Sequence, residues 1–437
     1  MTDVDASVID VDAVDFFTDR DLLADPYDFF AALRAECPVR AEKHHGVTML
    51  TGYDEVVQVY NDSDHFSACV SVTGPFPGFP VPIGPDDDAD ALIAEHRHRL
   101  PFSDQLPTMD PPDHTRHRHL LSRMITPKRL KENEAFLARL VDQQLDEALA
   151  GDGCEFMSAF ANPVAMLVVA DLLGVPESDH RTFRQRMLQS SETIGATDDK
   201  NALSHSPLEY LYATFSDYVS DRRANPRDDV LTGVASATFP DGTEPDVIDA
   251  VRVAANPFAA GGETTVRLLG SAVQIIAENA EIQQRLRACP DLIPNFIEEC
   301  LRYESPIRGD FRLVKQPVNL GGVDLTPGDT VMLLNAAANR DPTKFTNADT
   351  FDIDRDNARS HVAFGRGVHT CPGAPLARAE GVLTIARLLE RTTEIWIDEQ
   401  HHGPPDARRY SYVPTFILRG VTHLHVRFSS EQGTVVA

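Results

Sequence analysis

The sequence predicts a mainly α-helical fold with a smaller β-rich part. A strand-like alternation is found near 39–50, whereas helical periodicity recurs in several segments. These helical segments are 130–149, 155–173, 181–190 and 208–222. The chain has 437 residues, of which 42% are hydrophobic and 24% are charged, so it can bury a large core.

The N-terminal part begins with an acidic tail over about residues 1–19, followed by short helices at 26–36 and 53–59. The segment 74–107 is rich in proline and glycine, which predicts a loop with one helix at about 90–98. Loops of this length in a compact domain are usually functional. We therefore expect 74–107 to take part in the site.

The segment 246–280 predicts a long central helix that contains a contradiction. Three helix-breaking residues stand inside it, namely Pro257, Gly261 and Gly262. An interior proline costs about 3 kcal/mol relative to alanine and an interior glycine about 1 kcal/mol. A disturbed helix is therefore expected where Glu263 and Thr264 follow. Such conflicts tend to mark functional sites, although this residue pair alone is typical of a solvent-exposed or capping position.

The charge balance limits the partners of the protein. A formal net charge of −27, from 40 basic and 67 acidic residues, argues against nucleic acid as a partner. Basic residues nevertheless cluster locally, where an acidic partner protein could dock, although any helix surface carries a few arginines. The cluster comprises Arg116, Arg118, Arg123, Lys128, Arg129, Arg366 and Arg378.

The cysteines indicate a reducing compartment. Their spacing fits neither a paired metal site nor a disulfide scaffold, so we expect a cytoplasmic protein. No segment reaches the roughly 20 apolar residues that a membrane span needs. Residues 1–19 also lack the basic and apolar regions of a signal peptide, so no membrane anchor is expected. The six cysteines are Cys37, Cys69, Cys154, Cys289, Cys300 and Cys371.

One cysteine has a distinctive setting. Cys371 lies in a glycine-rich turn, 364–373, that leads into a helical pattern. Glycines let the chain fold tightly around the sulfur, and the helix N-terminus supplies N–H groups and partial positive charge that favour a thiolate. A buried structural cysteine is the alternative for any isolated cysteine. The complete ten-residue pattern favours a thiolate ligand for a metal.

The segment Phe364-Gly365-Arg366-Gly367-Val368-His369-Thr370-Cys371-Pro372-Gly373 resembles the cysteine-ligand loop of the cytochrome P450 superfamily of haem-thiolate monooxygenases. Four further segments resemble motifs of that family, in the same chain order. They are 110–118 (the haem-edge helix), 260–265 (the oxygen-activation motif), 299–302 (the paired glutamate and arginine) and 339–342 with 351–355 (the meander).

The resemblance implies a triangular prism of helices around one haem b, in a single domain covering 1–437. Cys371 is then the axial iron ligand, and Phe364 packs on the proximal side of its sulfur. A thiolate ligand favours O–O cleavage. The other implied haem contacts are His114, Arg118, Arg312 and His369 at the propionates, and Gly365, Gly373, Ala260 and Gly261 elsewhere around the cofactor.

The implied reaction is monooxygenation, in which a hydrophobic small molecule is hydroxylated or epoxidised with O2 and two electrons. By resemblance, Thr264 relays protons and Glu263 supplies them. Because no flavin or iron–sulfur segment is recognised, the electrons are expected from a ferredoxin with a separate NAD(P)H-dependent reductase. A monomer is expected.

Glu299 and Arg302 stand three residues apart, as neighbouring helix side chains do, so an ordinary surface ion pair is one interpretation. By resemblance they instead join Arg355 in a buried network that supports the cysteine loop.

A set of nearby histidines invites a zinc-site interpretation, but no matching ligand set follows at zinc spacing. These histidines are His114, His117 and His119.

The resemblance also implies an apolar substrate pocket, capped by 74–107 and covered by a mobile lid of 181–190 and 208–222. Such a lining favours a terpenoid-like or branched lipid, with a linear fatty acid or a steroid as alternatives. Arg308 could anchor a carboxylate, which would favour a fatty acid, or could face solvent or haem. The implied lining residues are Phe76, Phe79, Phe258, Ala259, Ile307, Phe311, Thr415 and Phe416.

Two other functions stay open from the sequence. One is a peroxide-driven or isomerising haem enzyme, although such relatives commonly lose the acid and alcohol pair present here as Glu263 and Thr264. The other is a non-catalytic haem-binding sensor. Steady NADH consumption with product formation would exclude the sensor.

Overall fold

The computed structural model of the chain describes residues 9–189 and 206–429. The described α-helices are α1 (Arg20–Ala24), α2 (Tyr27–Glu36), α3 (Tyr53–Asn61), α4 (Ala89–His96), α5 (Asp113–Met124), α6 (Pro127–Ala148), α7 (Asn162–Leu172), α8 (His180–Gln189), α9 (Ser206–Ala224), α10 (Val230–Ala235), α11 (Val247–Glu278), α12 (Ala280–Ala288), α13 (Ile293–Tyr303), α14 (Asn335–Ala338), α15 (Ala374–Arg391) and α16 (Glu399–His402). The described strands are β1 (Val39–Ala41), β2 (Val47–Leu50), β3 (Phe66–Ser67), β4 (Gly153–Glu155), β5 (Asp310–Val314), β6 (Val318–Leu320), β7 (Val323–Leu325), β8 (Thr330–Leu333), β9 (Glu394–Ile397) and β10 (His425–Ser429).

Helices therefore dominate, and the strands form small sheets. The largest described sheet has the order β1-β2-β8-β5-β3, in which only the β2 and β8 pair is parallel, with Met49 opposite Met332. A second sheet has the order β4-β10-β9, and β6 pairs with β7. The alternation at 39–50 is a pair of strands, and the helix expected at 90–98 is α4.

The central helix is continuous, so the predicted disturbance near residue 263 was wrong at the level of the helix itself. Pro257 lies inside α11, which runs unbroken for 32 residues. Its apolar side is buried against α7, α9 and α15, with Ala254 and Leu269 fully covered. Tertiary packing supplies most of a helix's stability and here outweighs the cost of one proline and two glycines.

Two other boundaries differ from the expected ones. The segment expected as a helix over 155–173 begins with the last residue of β4 and a π-helical turn, Met157–Ala161, before α7 starts. The expected helix 181–190 is α8, and Ser190 lies outside the described residues. In the described part of the acidic N-terminal segment, Phe16 is buried against Phe29 and Phe30, and Phe17 is buried against Phe76 and Phe416. Over the described ranges, no helix combines the length and apolar character needed to cross a membrane.

Candidate active site

A cavity of about 380 Å³ lies between α11 and the turn that precedes α15. Segments far apart in the chain meet in its wall, as the sequence motifs predict. The predicted haem and oxygen-activation residues that line it are His114, Arg118, Ala260, Gly261, Glu263, Thr264, Arg312, Phe364, Gly365, His369, Cys371 and Gly373.

The turn around Cys371 is built by local hydrogen bonds and by glycine. The Cys371 N–H donates to the Phe364 carbonyl at 2.9 Å. Gly367 has a φ of +64°, and a Cβ there would collide with the Tyr60 carbonyl of α3, so glycine is required. Burial raises the pKa of the Cys371 thiol, although the N–H groups of Gly373 and Ala374 and the charge of Arg118 oppose this. A cation at the sulfur would tip this balance toward the thiolate.

Basic side chains converge beside the cysteine turn, in the wall of the same cavity. The rings of His114 and His369 lie 4.1 Å apart, and Arg118 and Arg312 lie near both. Burial, with repulsion from the two arginines, lowers the pKa of His114 to about 4. Burial, with repulsion from Arg312 and then His114, lowers the pKa of His369 to about 2.

This basic cluster is incompletely neutralised by the protein. Both ring nitrogens of His114 are buried without a hydrogen-bond partner among the described residues. Arg312 contacts Asp310 at 3.3 Å, and Arg118 donates to the Thr370 carbonyl at 2.6 Å. Buried donors of this kind call for carboxylate acceptors. The two propionates of a haem are such acceptors, and Cys371 lies in the same cavity, so the residues fit haem.

The far side of the cysteine turn is held by a cluster that the sequence analysis missed. Arg378 stacks over the Phe364 ring at 4.7 Å and donates to Glu298 at 2.6 Å. His361 contacts the same carboxylate at 3.0 Å. Burial raises the pKa of the Glu298 carboxyl, but the hydrogen bonds with His361 and Arg378 outweigh burial and lower this pKa to about 2. Glu298 is adjacent to Glu299, but its own partners come from distant segments.

The three residues of the expected structural network do come together. Arg302 donates from Nε and Nη2 to the two oxygens of Glu299, each at 2.7 Å, and Arg355 Nε lies 3.0 Å from the same carboxylate. The side chains of Glu299 and Arg302 are fully buried. Both arginines also donate to meander carbonyls, including that of Thr350. An ordinary surface ion pair is therefore excluded.

On α11, Glu263 and Thr264 line the cavity as predicted from the motif. Arg267, one turn along, donates to Glu263 at 3.1 Å, and the Glu263 side chain stays 25% exposed. The Thr264 hydroxyl donates to the Ala260 carbonyl at 2.8 Å. This bond fixes the hydroxyl on the cavity-facing side of the helix.

Most of the residues implied as substrate lining lie elsewhere. Ile307 lines the cavity, whereas Phe258 points toward the lid helices, with its ring 4.7 Å from Phe183 and 5.6 Å from Phe215. Phe258 follows Pro257, which lines the cavity. Successive side chains on a helix differ in direction by about 100°, so Phe258 is turned away from the cavity. The side chain of Ala259 lies outside the described residues.

The remaining implied lining residues pack behind the cavity wall. Phe76, Phe79, Phe311 and Phe416 belong to the core cluster around Phe17. The Phe416 ring lies 5.1 Å from Phe17 and 6.0 Å from Phe311. Thr415 is fully buried, and its hydroxyl accepts from the Leu418 N–H at 2.8 Å. The neighbours Ile417 and Leu418 line the cavity instead.

Arg308 does not serve any of the roles considered for it. Its side chain is fully buried away from solvent, and it donates to the carbonyls of Leu22 and Leu23 at the end of α1. It does not line the cavity. It therefore ties the N-terminal segment to the body of the protein.

Glu380 is a cavity residue that the sequence analysis missed. It lies on α15 and is 1% exposed. Within the described chain, its Oε2 has no hydrogen-bond partner, and the Thr384 hydroxyl, one turn later, has none either. Burial raises the pKa of this carboxyl well above its ordinary value. Glu380 stands four residues after Leu376 and eight before Leu388, and these residues share one buried side of α15. This helical spacing is the sequence signal that could have predicted a buried carboxyl.

We expect Glu380→Gln to flatten the pH dependence of stability. A carboxyl whose pKa is raised by folding stays protonated in the folded state while the unfolded chain ionises. Stability then falls by up to about 1.4 kcal/mol per pH unit above the unfolded pKa, until the folded pKa is reached. Denaturation midpoints measured from about pH 5 to pH 8 should favour the variant increasingly as pH rises. Parallel profiles for the two proteins would contradict this, and Glu390→Gln, at an exposed site, is the control.

Comparison with known proteins agrees with this geometry. The family model "Cytochrome P450" matches residues 240–408. Cytochrome P450 144 of Mycobacterium tuberculosis is 34% identical, over 88% of this chain and 86% of that protein. The substrate-free structure of Mycobacterium marinum cytochrome P450 CYP150A6 superposes with a TM-score of 0.90 at 48% identity, covering 96% of this chain and 100% of that one.

A further solved structure is that of CYP109E1 from Bacillus megaterium in complex with corticosterone. It has a TM-score of 0.77 and 26% identity, over 93% of this chain and 99% of that one. The predicted helical fold class, the family resemblance and the haem cofactor are thereby confirmed. The chain belongs to the cytochrome P450 superfamily of haem-thiolate monooxygenases.

Proposed function

We propose that this cytochrome P450 hydroxylates or epoxidises a neutral hydrophobic molecule, of the terpenoid-like or branched lipid class. The observation that carries the proposal is the wall of the cavity that Thr264 lines, which is mostly apolar. Its apolar residues include Val72, Leu106, Val169, Leu172, Ile307, Ile417 and Leu418. Such a lining binds apolar ligands and rejects exposed charge.

A linear fatty acid is less well supported. The arginine that could have bound its carboxylate, Arg308, is committed to two backbone carbonyls. The cations that do line the cavity, Arg118 and Arg312, belong to the cluster that fits the haem propionates. A steroid is the second candidate, favoured by the similarity to CYP109E1, whose structure holds corticosterone.

Several of this chain's residues would act in the reaction. Cys371 and the cluster of His114, Arg118, Arg312 and His369 would hold the haem, which supplies oxidising chemistry that side chains lack. Glu263, part-exposed and held by Arg267, would exchange protons with solvent. The Thr264 hydroxyl, held by the Ala260 carbonyl, would pass them into the cavity. The apolar wall would exclude other water.

We also infer that a ferredoxin, reduced by a separate NAD(P)H-dependent reductase, delivers the electrons. The support is exposed positive charge at the end of α5 and the start of α6, where Arg123 is exposed and Lys128 is 87% exposed, 3.7 Å from Glu132. In the cysteine turn, the apolar Val368 is 44% exposed. The other five members of the predicted basic cluster are engaged within the protein. Arg118 donates to the Thr370 carbonyl, Arg366 to the Ser360 carbonyl and Arg378 to Glu298. Arg116 stacks on Phe239 at 3.8 Å, and Arg129 donates to the Asp171 carbonyl. We further propose a single-domain, monomeric, cytoplasmic enzyme.

The experiment is an optical titration of the purified ferric haem protein with terpenoid esters, branched and linear fatty acids, steroids and aromatic acids. We expect a Soret shift with a neutral terpenoid, a branched lipid or a steroid, at lower concentrations than with any linear fatty acid. Saturable shifts with fatty acids alone would contradict the substrate class. Turnover of the best ligand with ferredoxin, reductase and NADH would then separate an enzyme from a haem sensor.

A further inference from the structure

The cavity wall formed by α11 carries a polar side chain that the proposed function does not use. Asn256 is 9% exposed and lines the cavity. Its amide makes no hydrogen bond to the part of the chain that the structure describes. The polar atoms of the Asn256 amide are open to the cavity rather than sealed in the core, so water or an entering molecule can pair with them. A ligand that enters the cavity can supply the missing partner.

The position of Asn256 relative to Thr264 follows from helix geometry. The two residues are eight apart on α11, which corresponds to about 12 Å along the axis and to two turns plus about 80°. Both side chains line the cavity, and Ala260 lies between them on the same wall. A ligand that contacts Asn256 at one end can therefore present its other end at Thr264.

The charges around Asn256 favour a neutral ligand group. Arg252, one turn before it, is paired with Asp104 at 2.9 Å and with Asp249 at 3.2 Å. Glu263 lies farther along the same helix and would repel an anion. An amide both donates and accepts, so it matches a hydroxyl or a carbonyl oxygen. A carboxylate would find no uncommitted cation among these described neighbours.

We propose that Asn256 binds a neutral oxygen of the substrate, a hydroxyl or a carbonyl, about 12 Å from the end presented at Thr264. The inference rests on the proposed function and narrows its substrate class. The substrate is an apolar molecule with one such oxygen remote from the carbon that is oxidised. Oxygenated terpenoids and keto or hydroxy steroids have this pattern.

The test uses imidazoles, which bind haem iron whether or not they resemble the substrate. Two series are titrated optically, 1-alkylimidazoles and the matching imidazolyl alkanols with a terminal hydroxyl. With the wild-type haem protein, we expect the terminal hydroxyl to lower the dissociation constant, relative to the matching alkylimidazole, most at a chain length of roughly ten carbons. In Asn256→Leu, the dissociation constant of the alkanol divided by that of the alkylimidazole should rise by about tenfold at that length.

Controls separate anchoring from misfolding. Asn256→Leu should bind the alkylimidazoles at least as well as wild type, and Asn256→Gln should move the optimum to a shorter chain. Ser71→Ala removes a cavity hydroxyl already bound to the Pro107 carbonyl at 2.8 Å, so it should leave the ratio unchanged. An equal ratio in wild type and Asn256→Leu at every length would overturn the inference. If no imidazole shifts the Soret band, the proposed function fails too.

Discussion

Replacing Glu299 with alanine is expected to destabilise the folded protein by about 3 to 5 kcal/mol. The carboxylate accepts from both Arg302 and Arg355 and from the Asp352 N–H at 2.9 Å. Its removal would leave two buried guanidinium groups without their counter-charge. Breaking a buried charge network is costly because the remaining charges stay desolvated. A loss of this size is a large part of a typical domain's stability.

The measurement is chemical denaturation together with the haem content of the purified protein. The matched control is Arg285→Ala, which removes an exposed pair with Asp354 and should cost no more than about 1 kcal/mol. The variant Glu299→Ala should also lose haem, because Arg302 and Arg355 order the meander that leads to the cysteine turn. If Glu299→Ala matches the control in stability and haem content, the network is not structural.

Replacing Thr264 with alanine is expected to uncouple the reaction. Electrons from NADH would still be consumed, but product per NADH should fall by about tenfold or more, with hydrogen peroxide released instead. The reason is that a positioned proton donor typically contributes about 10²- to 10⁴-fold to such a step. The measurement is the simultaneous assay of NADH, product and peroxide with the ligand identified by titration.

Two variants make the Thr264 result specific. Thr264→Ser keeps the hydroxyl and should keep most of the coupling. Thr265→Ala removes the adjacent hydroxyl, which also lines the cavity, and should have the smaller effect. Unchanged product per NADH in Thr264→Ala would contradict the proton-relay role. Equal uncoupling in both alanine variants would point to cavity shape rather than to the relay.

The elements of the fold could be predicted from the sequence because their periodicity is strong. The hydrophobic stripe of α11 predicted a long helix, although its proline suggested a disturbance that packing against α7, α9 and α15 overcomes. The helix α4 and the pair β1 and β2 were predicted within a few residues. Boundaries such as the start of α7 depend on sheet pairing by β4, a tertiary effect that local patterns do not contain.

The site was predictable where a motif fixes both residue type and local geometry. Cys371, Thr264 and the basic residues expected at the haem propionates meet in one cavity for this reason. Side-chain direction outside the motifs was not predictable, so Phe76, Phe311 and Phe416 were expected in the pocket but pack in the core cluster around Phe17. Single polar residues were also missed. Asn256 and Glu380 have ordinary residue types, and only the fold reveals that their side chains are buried at the cavity.

The most direct test of the account is the reduced carbon monoxide spectrum of the haem protein. Cys371 is predicted to hold the iron as a thiolate, so wild type should give the red-shifted Soret band of a thiolate-ligated haem. The control Cys289→Ser, at an exposed cysteine, should keep that band, and Cys371→Ser should lose it. A wild-type protein without the band, or a Cys371→Ser variant that retains it, would contradict the assignment of Cys371.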